Sequence, residues 1–413
     1  MSMLCVCALA LCLSAGAADD VVDATTLRGR VMCGYQGWFR CPGDAADMGW
    51  IHWSGDPNRI VPGTLTFEMW PETSEYPADA LCPAPGFVHP DGTQAYLFSS
   101  DHPGVVTKHF EWMRDYGIDG AWLQQFAVDL PGGPLEDRHP SQRRVREHVR
   151  AAAAATGRVW AVCFDIAGMD AGLTYDVVTR AWRQLVDEGA AADDRYLHEG
   201  GLPVVQIWGF YRENMTNHME PALGNRLIDF FTSPGPYQAY LVGGGDWDWR
   251  RHDDTEWQAM IRRLDAYAPW NIGNYSLDEA NVKSASTQTW PGDQEECAAH
   301  GILWIPTVYP GFSWDNLTRQ PPGSSLIERR GGEFLWEQFV ELHRLGCDTV
   351  HLSIFDEVDE GTALFKVTSE PPENAHFVGY DGLPSDWYLR LVREGIAMLR
   401  GKRPFSETIP IVP

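Results

Sequence analysis

The stretch Thr349-Val350-His351-Leu352-Ser353-Ile354-Phe355-Asp356-Glu357-Val358-Asp359-Glu360-Gly361-Thr362 joins an apolar run to a cluster of acids. Its first seven residues have the apolar and β-branched character of a buried strand. The next five residues include four acids. Neighbouring acids repel one another, so such a cluster does not stabilise an ordinary folded segment. The stretch therefore predicts a strand whose carboxyl end carries a functional loop.

Seven similar runs precede this one, and helix-like segments lie between them. The candidate strands are residues 30–35, 120–124, 158–164, 202–208, 239–243, 270–275, 302–307 and 349–355. The candidate helices are residues 109–116, 142–155, 175–188, 219–233, 255–267 and 332–345. Strands that alternate with helices indicate a parallel α/β architecture, and eight strands close a (β/α)8 TIM barrel in a single domain. An open doubly wound sheet is the alternative, but no G-x-G-x-x-G motif follows an early strand.

A barrel of this kind carries its functional residues at the carboxyl ends of the strands. Aromatic, amide and acidic residues recur just beyond the apolar runs, and this mixture suits a sugar, because rings stack on its apolar faces while amides and acids bind its hydroxyls. The predicted substrate-binding residues are Tyr35, Trp38, His52, Trp53, Gln124, Asp165, Trp208, Asp246 and Tyr309. The alternative for each is a structural role in the core, a helix cap or a turn.

Two glutamates of the acidic cluster, Glu357 and Glu360, are the predicted catalytic residues. Cleavage of a glycosidic bond needs one carboxylic acid that protonates the leaving oxygen and a second carboxylate that activates a nucleophile or assists directly. Neighbouring carboxylates push their pKa values apart, so one stays protonated while the other ionises. A solvated acidic loop and a calcium-binding loop are the alternatives, although the spacing is not that of an EF-hand.

The composition narrows the range of partners. The 413 residues carry a formal net charge of -25, which argues against binding nucleic acid over a broad surface, since that needs clustered Lys and Arg. The chain has 18 tryptophans, which suit both core packing and stacking on sugar rings. No CxxC pair or His-rich spacing indicates zinc. We therefore predict a glycan as the partner, no nucleic acid, no cofactor and no metal.

The N-terminal segment predicts export. Residues 4–13 form an apolar run too short to span a bilayer comfortably, and Ala15-Gly16-Ala17 offers an A-x-A cleavage site before Ala18, although a positive n-region is missing. A buried N-terminal segment is the alternative. We predict a signal peptide over residues 1–17, one catalytic domain over residues 18–413, a secreted or extracytoplasmic protein and no membrane insertion.

Cleavage after residue 17 would leave six cysteines. An even number in an exported chain permits disulfides without establishing them. Cys33, Cys41 and Cys82 share one N-terminal region and are the predicted bridge formers. Cys163 and Cys347 lie in or near apolar strands and are predicted to be buried thiols.

The acidic loop resembles a segment of the glycoside hydrolase family 71/99-like group, especially the family 99 endo-α-mannosidases and endo-α-mannanases. In that family the last strand runs into Asn/Asp-Glu-Trp-His-Glu-Gly-Thr, and this chain matches both glutamates, the glycine and the threonine, with Val358-Asp359 in place of Trp-His. Four other stretches are also similar: Gly34-Tyr35-Gln36-Gly37-Trp38, Gly49-Trp50-Ile51-His52-Trp53, Tyr309-Pro310-Gly311-Phe312, and Arg329-Arg330-Gly331-Gly332-Glu333-Phe334 with Trp336.

The resemblance implies a (β/α)8 barrel and a retaining α-glycosidase. It implies that Glu357 deprotonates the substrate's own 2-hydroxyl to give a 1,2-anhydro sugar, and that Glu360 acts as general acid and then as the base that activates water. It favours an α-mannan-like substrate, whereas the Val358-Asp359 difference bears on which sugar is accepted. Two alternatives follow: a relative that cleaves another α-glycan, such as an α-glucan or a substituted plant or algal glycan, and a carbohydrate-binding barrel without catalysis.

Overall fold

The computed structural model describes residues 21–212 and 219–413, so the predicted signal peptide lies outside the described residues. The strands of this part are β1 Val31–Tyr35, β2 Leu81–Val88, β3 Gln94–Phe98, β4 Gly120–Phe126, β5 Val159–Asp165, β6 His198–Glu199, β7 Leu202–Phe210, β8 Tyr240–Gly245, β9 Ala266–Pro269, β10 Tyr275–Leu277, β11 Lys283–Ala285, β12 Leu303–Trp304, β13 Thr307–Val308 and β14 Val350–Leu352. Its α-helices are α1 Pro103–Asp115, α2 His139–Thr156, α3 Ala171–Asp187, α4 Pro221–Thr232, α5 Thr255–Ile261, α6 Trp290–Ala299, α7 Asp315–Thr318, α8 Glu333–Arg344 and α9 Trp387–Leu399.

The parallel strands close into a barrel. Their order is β12-β9-β8-β7-β5-β4-β1-β14-β13. β12 and β13 are two halves of one strand, residues 303–308, and they are separated by Ile305 and Pro306, whose nitrogen has no hydrogen to donate. The first half pairs with β9 and the second half with β14, so this strand joins the two edges of the sheet. The predicted (β/α)8 barrel is confirmed.

Helices cover the outside of the barrel, and most of the longer ones have one apolar face. In α2 the buried side chains include Val145, Val149 and Ala152, at the spacing that places them on one side of a helix. The helix ends at Gly157, whose left-handed backbone (φ +69°) allows its N–H to bond a carbonyl of the last turn. Within residues 21–212 and 219–413, no helix has the length and apolar character needed to cross a bilayer.

The sixth predicted strand is wrong in position. The strand is β9, four residues earlier than residues 270–275, and α5 ends at Ile261 rather than at residue 267. Ala266 and Tyr267 are fully buried, and they pair with Val242 and Gly243 of β8. Tertiary burial therefore selects a strand for a short run that the sequence allows to continue a helix. Residues 270–275 lie beyond the carboxyl end of this strand.

The three predicted bridge formers divide into a pair and a free thiol. A disulfide joins Cys41, in the loop after β1, to Cys82 in β2. Cys33 is a buried free thiol in β1, with its Sγ 3.4 Å from the carbonyl oxygen of Gly120. This corrects the prediction for Cys33, whose side chain lies in the core, out of reach of the other two. Cys163 and Cys347 are buried free thiols, as predicted.

Replacing both Cys41 and Cys82 by serine is expected to lower the melting temperature while the barrel still folds. The bond joins residues 41 positions apart, and closure of such a loop in the unfolded chain corresponds to about 4 kcal/mol of stability. Differential scanning calorimetry with and without dithiothreitol measures the effect. Reductant should lower the melting temperature of the wild type to that of the variant, and a wild type that is insensitive to reductant would contradict the expectation.

Candidate active site

The acidic loop after β14 is tied to the loop after β1 by Asp356. This carboxylate is fully buried and accepts hydrogen bonds from the backbone N–H groups of Gln36 (2.8 Å) and Gly37 (2.9 Å). Gly37 has a left-handed backbone (φ +58°), and a Cβ at this position would lie 2.7 Å from Val145. Only glycine fits both demands, so the turn presents two N–H groups to Asp356. Burial raises the pKa of Asp356 to about 6.

Glu357 is held in a buried position on this loop. Its side chain accepts a hydrogen bond of 3.0 Å from Nε2 of Gln36, and the residue is 4% exposed. Burial raises the pKa of Glu357 well above its usual range, and the charges of Glu360 and Asp359 raise it further, while the bond from Gln36 opposes them. Gln36 therefore fixes one oxygen of this carboxyl group.

Glu360 lies on the same loop but is partly exposed. Its backbone carbonyl accepts a hydrogen bond from the N–H of Ser313 (2.9 Å). Burial raises the pKa of Glu360 to about 7, and the charge of Asp165 adds to this effect. Because Glu357 and Glu360 repel each other when both are ionised, the pair loses its two protons in separate steps and holds one proton over an intermediate pH range.

Two predicted binding residues, Gln124 and Asp165, are brought together beside Glu360. They end neighbouring strands β4 and β5, and Nε2 of Gln124 donates to Asp165 over 2.6 Å. The second carboxylate oxygen of Asp165 accepts from the N–H of Ala167 (2.7 Å). Burial raises the pKa of Asp165 to about 7. Its influence on the pKa of Glu360 places this pair within electrostatic range of the predicted catalytic loop.

Trp38 and His52 also meet at the acidic loop. Their rings stack with centroids 3.8 Å apart and an interplanar angle of 8°. Nδ1 of His52 lies 2.9 Å from a carboxylate oxygen of Asp359, which is 2% exposed. Burial lowers the pKa of His52 to about 3 and raises that of Asp359 well above its usual range. The pair therefore connects the loop after β1 to the segment between the two glutamates.

Asp246 and Trp208 lie at the carboxyl ends of the next two strands. Asp246 accepts hydrogen bonds from the N–H of Arg212 (2.7 Å) and from Nε2 of His252 (3.1 Å). The Trp208 ring is partly buried and contacts the ring of Tyr211 edge-on, at 5.1 Å between centroids. Burial raises the pKa of Tyr211 well above its usual range, and the charges of Asp246, Asp165 and Glu360 add to it. Tyr211 therefore lies among three acids of the same barrel face.

A metal ion has one geometrically possible position among the described residues. Asp246, Asp248 and His252 each bring one ligand atom to within 4.8 Å of the others. His252 and the backbone of Arg212 already satisfy one oxygen of Asp246, and exposed acidic groups often lie this close without an ion. The prediction of no metal stays a prediction.

Three predicted binding residues lie in the core instead. Tyr35, Trp53 and Tyr309 are all 0% exposed. The Tyr35 hydroxyl lies 2.9 Å from Nδ1 of His109, the Trp53 indole donates to the carbonyl at the end of β3, and the Tyr309 hydroxyl donates to a carbonyl of the loop before β10. A side chain with no exposed surface and a satisfied polar group cannot stack on a sugar. We therefore correct these three assignments to structural roles.

Sequence reasoning missed residues that act through long-range contacts. Gln36, which fixes Glu357, stands directly after the first strand, and that position is the signal that would have identified it. Glu68 stands in no recognisable pattern. It is fully buried and accepts hydrogen bonds from Ser313 Oγ (2.8 Å) and from the N–H of Asn316 (2.5 Å), and burial raises its pKa to about 7. Through Ser313 it supports the backbone of Glu360.

The barrel is similar to solved structures at low sequence identity. The family 99 endo-α-mannosidase of Bacteroides thetaiotaomicron has a TM-score of 0.66 and 16% identity, over 91% of this chain and 99% of that chain. The same enzyme in complex with Bis-Tris-propane gives 0.65 and 17%, over 91% and 99%. A glycoside hydrolase-like protein gives 0.50 and 15%, over 84% and 98%. No protein-family model matches the sequence, and no curated protein matches it. The resemblance to family 99 is therefore confirmed for the fold.

Proposed function

We propose that this protein is a retaining α-glycoside hydrolase that cleaves an α-linked polysaccharide or oligosaccharide, with an α-mannan-like glycan favoured. The observation that carries the proposal is the placement of Glu357 and Glu360 on one anchored loop at the carboxyl end of the last strand, both with raised pKa values. Barrel enzymes place their reacting groups at this face, and glycoside cleavage needs two carboxyl groups in different protonation states. The likeness in fold to an endo-α-mannosidase supports the substrate class.

The proposed reaction has two steps. The first step starts with the single proton of the pair on Glu360 and with Glu357 ionised. Glu357 takes the proton of the 2-hydroxyl, O2 attacks the anomeric carbon, and the bond to the leaving oxygen breaks as Glu360 donates its proton to that oxygen. In the second, ionised Glu360 takes a proton from water, whose oxygen opens the 1,2-anhydro ring at the anomeric carbon, and Glu357 returns its proton to O2. Two inversions give net retention. Each carboxyl group ends in the protonation state in which it began.

The same proposal assigns binding roles around the pair. Trp208 offers a ring for stacking, whereas the Trp38 ring already stacks on His52 and Phe126 and takes part through these contacts. Gln124, Asp165 and Asp246 offer hydrogen-bonding groups for sugar hydroxyls. The chemistry uses no cofactor and no metal.

We also propose that the protein acts outside the cytoplasm. The disulfide between Cys41 and Cys82 supports this location, because such bonds persist in oxidising compartments. A polymeric glycan as substrate is consistent with export.

Product analysis tests the proposal. Purified protein is incubated with a panel of α-mannans, α-1,3-glucan and other α-linked glycans, and new reducing ends and product sizes are measured. We expect cleavage of an α-mannan. Cleavage of another α-glycan alone would keep the reaction and change the substrate. Binding on a glycan array without cleavage, by the wild type and by Glu360→Gln alike, would overturn the enzymatic proposal and favour a carbohydrate-binding barrel.

Asp165→Asn is expected to move the alkaline limb of the kcat/KM profile to lower pH. The charge of Asp165 raises the pKa of Glu360, so a neutral asparagine lowers that pKa. The general acid is then lost at a lower pH as the pH rises. The pH profile on the cleaved glycan measures the shift, and Asp187→Asn, on the exposed end of α3, is the control. An alkaline limb that stays at the same pH or moves to higher pH would show that the charge of Asp165 does not raise the pKa of Glu360.

A further inference from the structure

The imidazole of His52 is fixed from two directions beside the predicted catalytic loop. Asp359 holds Nδ1 at 2.9 Å, and the Trp38 ring lies flat against the imidazole at 3.8 Å between centroids. These contacts come from different elements, since Asp359 follows β14 while Trp38 follows β1. The ring orientation is therefore defined by the fold and not by local sequence.

The backbone of His52 is also held in an unusual conformation. Its φ is +65°, in the left-handed region, which costs a residue with a Cβ about 1 to 2 kcal/mol. The hydroxyl of Thr66 donates to the carbonyl of His52 over 2.7 Å, and the carbonyl of Ile51 accepts from the N–H of Arg40. Strain that the surroundings maintain in this way occurs often at functional sites.

One side of this ring remains available. The side chain of His52 is 27% exposed, and Nε2 makes no hydrogen bond to any residue in the described ranges. His52 lines a cavity together with Gln36, which holds Glu357, and Gln124, which holds Asp165. This cavity therefore adjoins the two amides that hold Glu357 and Asp165.

We propose that His52 is a substrate-recognition residue whose Nε2 hydrogen-bonds a hydroxyl of the bound glycan, and that Asp359 is the positioning residue that fixes its tautomer. This inference rests on the proposed glycan cleavage and adds a specificity determinant to it. The recognised chemistry is a neutral sugar hydroxyl in the cavity that His52 lines.

The charges around His52 and Asp359 indicate that His52 Nε2 is the donor in the hydrogen bond to the sugar. Burial keeps His52 neutral, and the nearby guanidinium groups of Arg138 and Arg40 lower its pKa further. Burial and the charges of Glu360, Asp356 and Glu68 raise the pKa of Asp359 well above its usual range. Both shifts favour a neutral imidazole beside a protonated carboxyl group, an arrangement in which Asp359 donates to Nδ1. Nε2 then carries the ring proton and acts as the donor to the sugar.

His52→Asn tests the recognition role. Asparagine tolerates a positive φ and places an amide near the position of Nδ1, so it preserves the backbone and the bond to Asp359 while it removes Nε2. We expect kcat/KM on the cleaved glycan to fall about ten-fold, mainly through KM, with an unchanged melting temperature. The matched control is His343→Asn, which removes another ring stacked on an aromatic residue, Phe405, on the outer helix α8.

Two substitutions of Asp359 test the positioning role. Asp359→Asn retains a donor to Nδ1 and should keep the wild-type KM at neutral pH. Asp359→Leu leaves the ring unfixed and should raise KM as His52→Asn does. NMR correlation of the imidazole nitrogens should show the proton on Nε2 in the wild type and in Asp359→Asn. Where the wild type binds a panel glycan without cleaving it, the dissociation constant takes the place of KM.

The outcomes separate this inference from the proposed function. A wild type that neither cleaves nor binds any panel glycan would overturn both. A wild type that cleaves a glycan, together with a His52→Asn variant of unchanged kcat/KM, would overturn the role of His52 alone. A wild-type KM in Asp359→Leu, or an imidazole proton on Nδ1, would overturn the positioning role of Asp359.

Discussion

Glu360→Gln is expected to lower kcat/KM on the natural glycan by about 10²- to 10⁴-fold while binding is retained. Glutamine has the shape of the protonated acid but cannot transfer its proton to the leaving oxygen. The backbone of residue 360 is held by Ser313, and the side chain is partly exposed, so the substitution leaves the loop in place. An α-glycoside with a 4-nitrophenolate leaving group needs no protonation and should recover most of the lost rate.

Steady-state kinetics on both substrates, with isothermal titration calorimetry for binding, measures this effect. Glu337→Gln, an exposed residue of α8 paired with Arg330, is the matched control and should behave as the wild type. A Glu360→Gln variant of near-wild-type activity on the natural glycan would remove Glu360 from the mechanism. A loss of equal size on both substrates would remove its role as general acid.

Glu357→Gln is expected to cause a loss of similar size that an activated leaving group does not rescue. The proposed task of Glu357 is to take the proton of the 2-hydroxyl, and an amide cannot do so whichever group leaves. The new amide can still pair with Gln36, because its carbonyl oxygen accepts the bond that Nε2 now gives to the carboxylate. Folding and binding should therefore persist.

The same two substrates separate the roles of the two glutamates. Rescue of Glu360→Gln by the activated substrate, without rescue of Glu357→Gln, is the pattern that the two-step reaction predicts. Rescue of Glu357→Gln alone would exchange the two assigned roles. Rescue of both variants would contradict the assignment of Glu357 as the base. A 2-deoxy substrate, which lacks the proposed internal nucleophile, should not be hydrolysed by the wild type.

Most of the barrel could be predicted from the sequence because β1, β4, β5, β7 and β8 are apolar runs of five to nine residues. β5 is buried over its full length, and such a run has few alternatives to a central strand. The position of β9 was predicted wrongly for the opposite reason. Four residues following an amphipathic helix carry too little pattern to mark a strand, and only pairing with β8 decides their conformation.

The sequence predicts the location of a residue where that location follows from position along a strand. Gln124 and Asp165 were identified as strand-end residues, and they prove to be hydrogen-bonded neighbours. The same rule failed for Tyr35 and Tyr309, because it gives the end of a strand but not the direction in which a side chain points. A strand places alternate side chains on opposite faces, so one step along the chain separates buried Tyr35 from Gln36 at Glu357.

The contacts of the site that could not be predicted from the sequence join segments that are distant in the chain. Asp359 stands between the two glutamates, yet its partner is His52, 307 positions earlier in the chain. Glu68 reaches Ser313 across 245 positions. No local spacing encodes such pairs, and they become visible only when the barrel brings the loops after β1 and β14 together.

The anomeric configuration of the first product decides whether the proposed two-step reaction takes place. Proton NMR follows the reaction of the wild type with the panel glycan that it cleaves, before the new reducing ends mutarotate. We expect the α anomer to appear first and the β anomer to grow in later, since two displacements at the anomeric carbon retain its configuration. First appearance of the β anomer, or the absence of any new reducing end from every α-linked glycan in the panel, would contradict it.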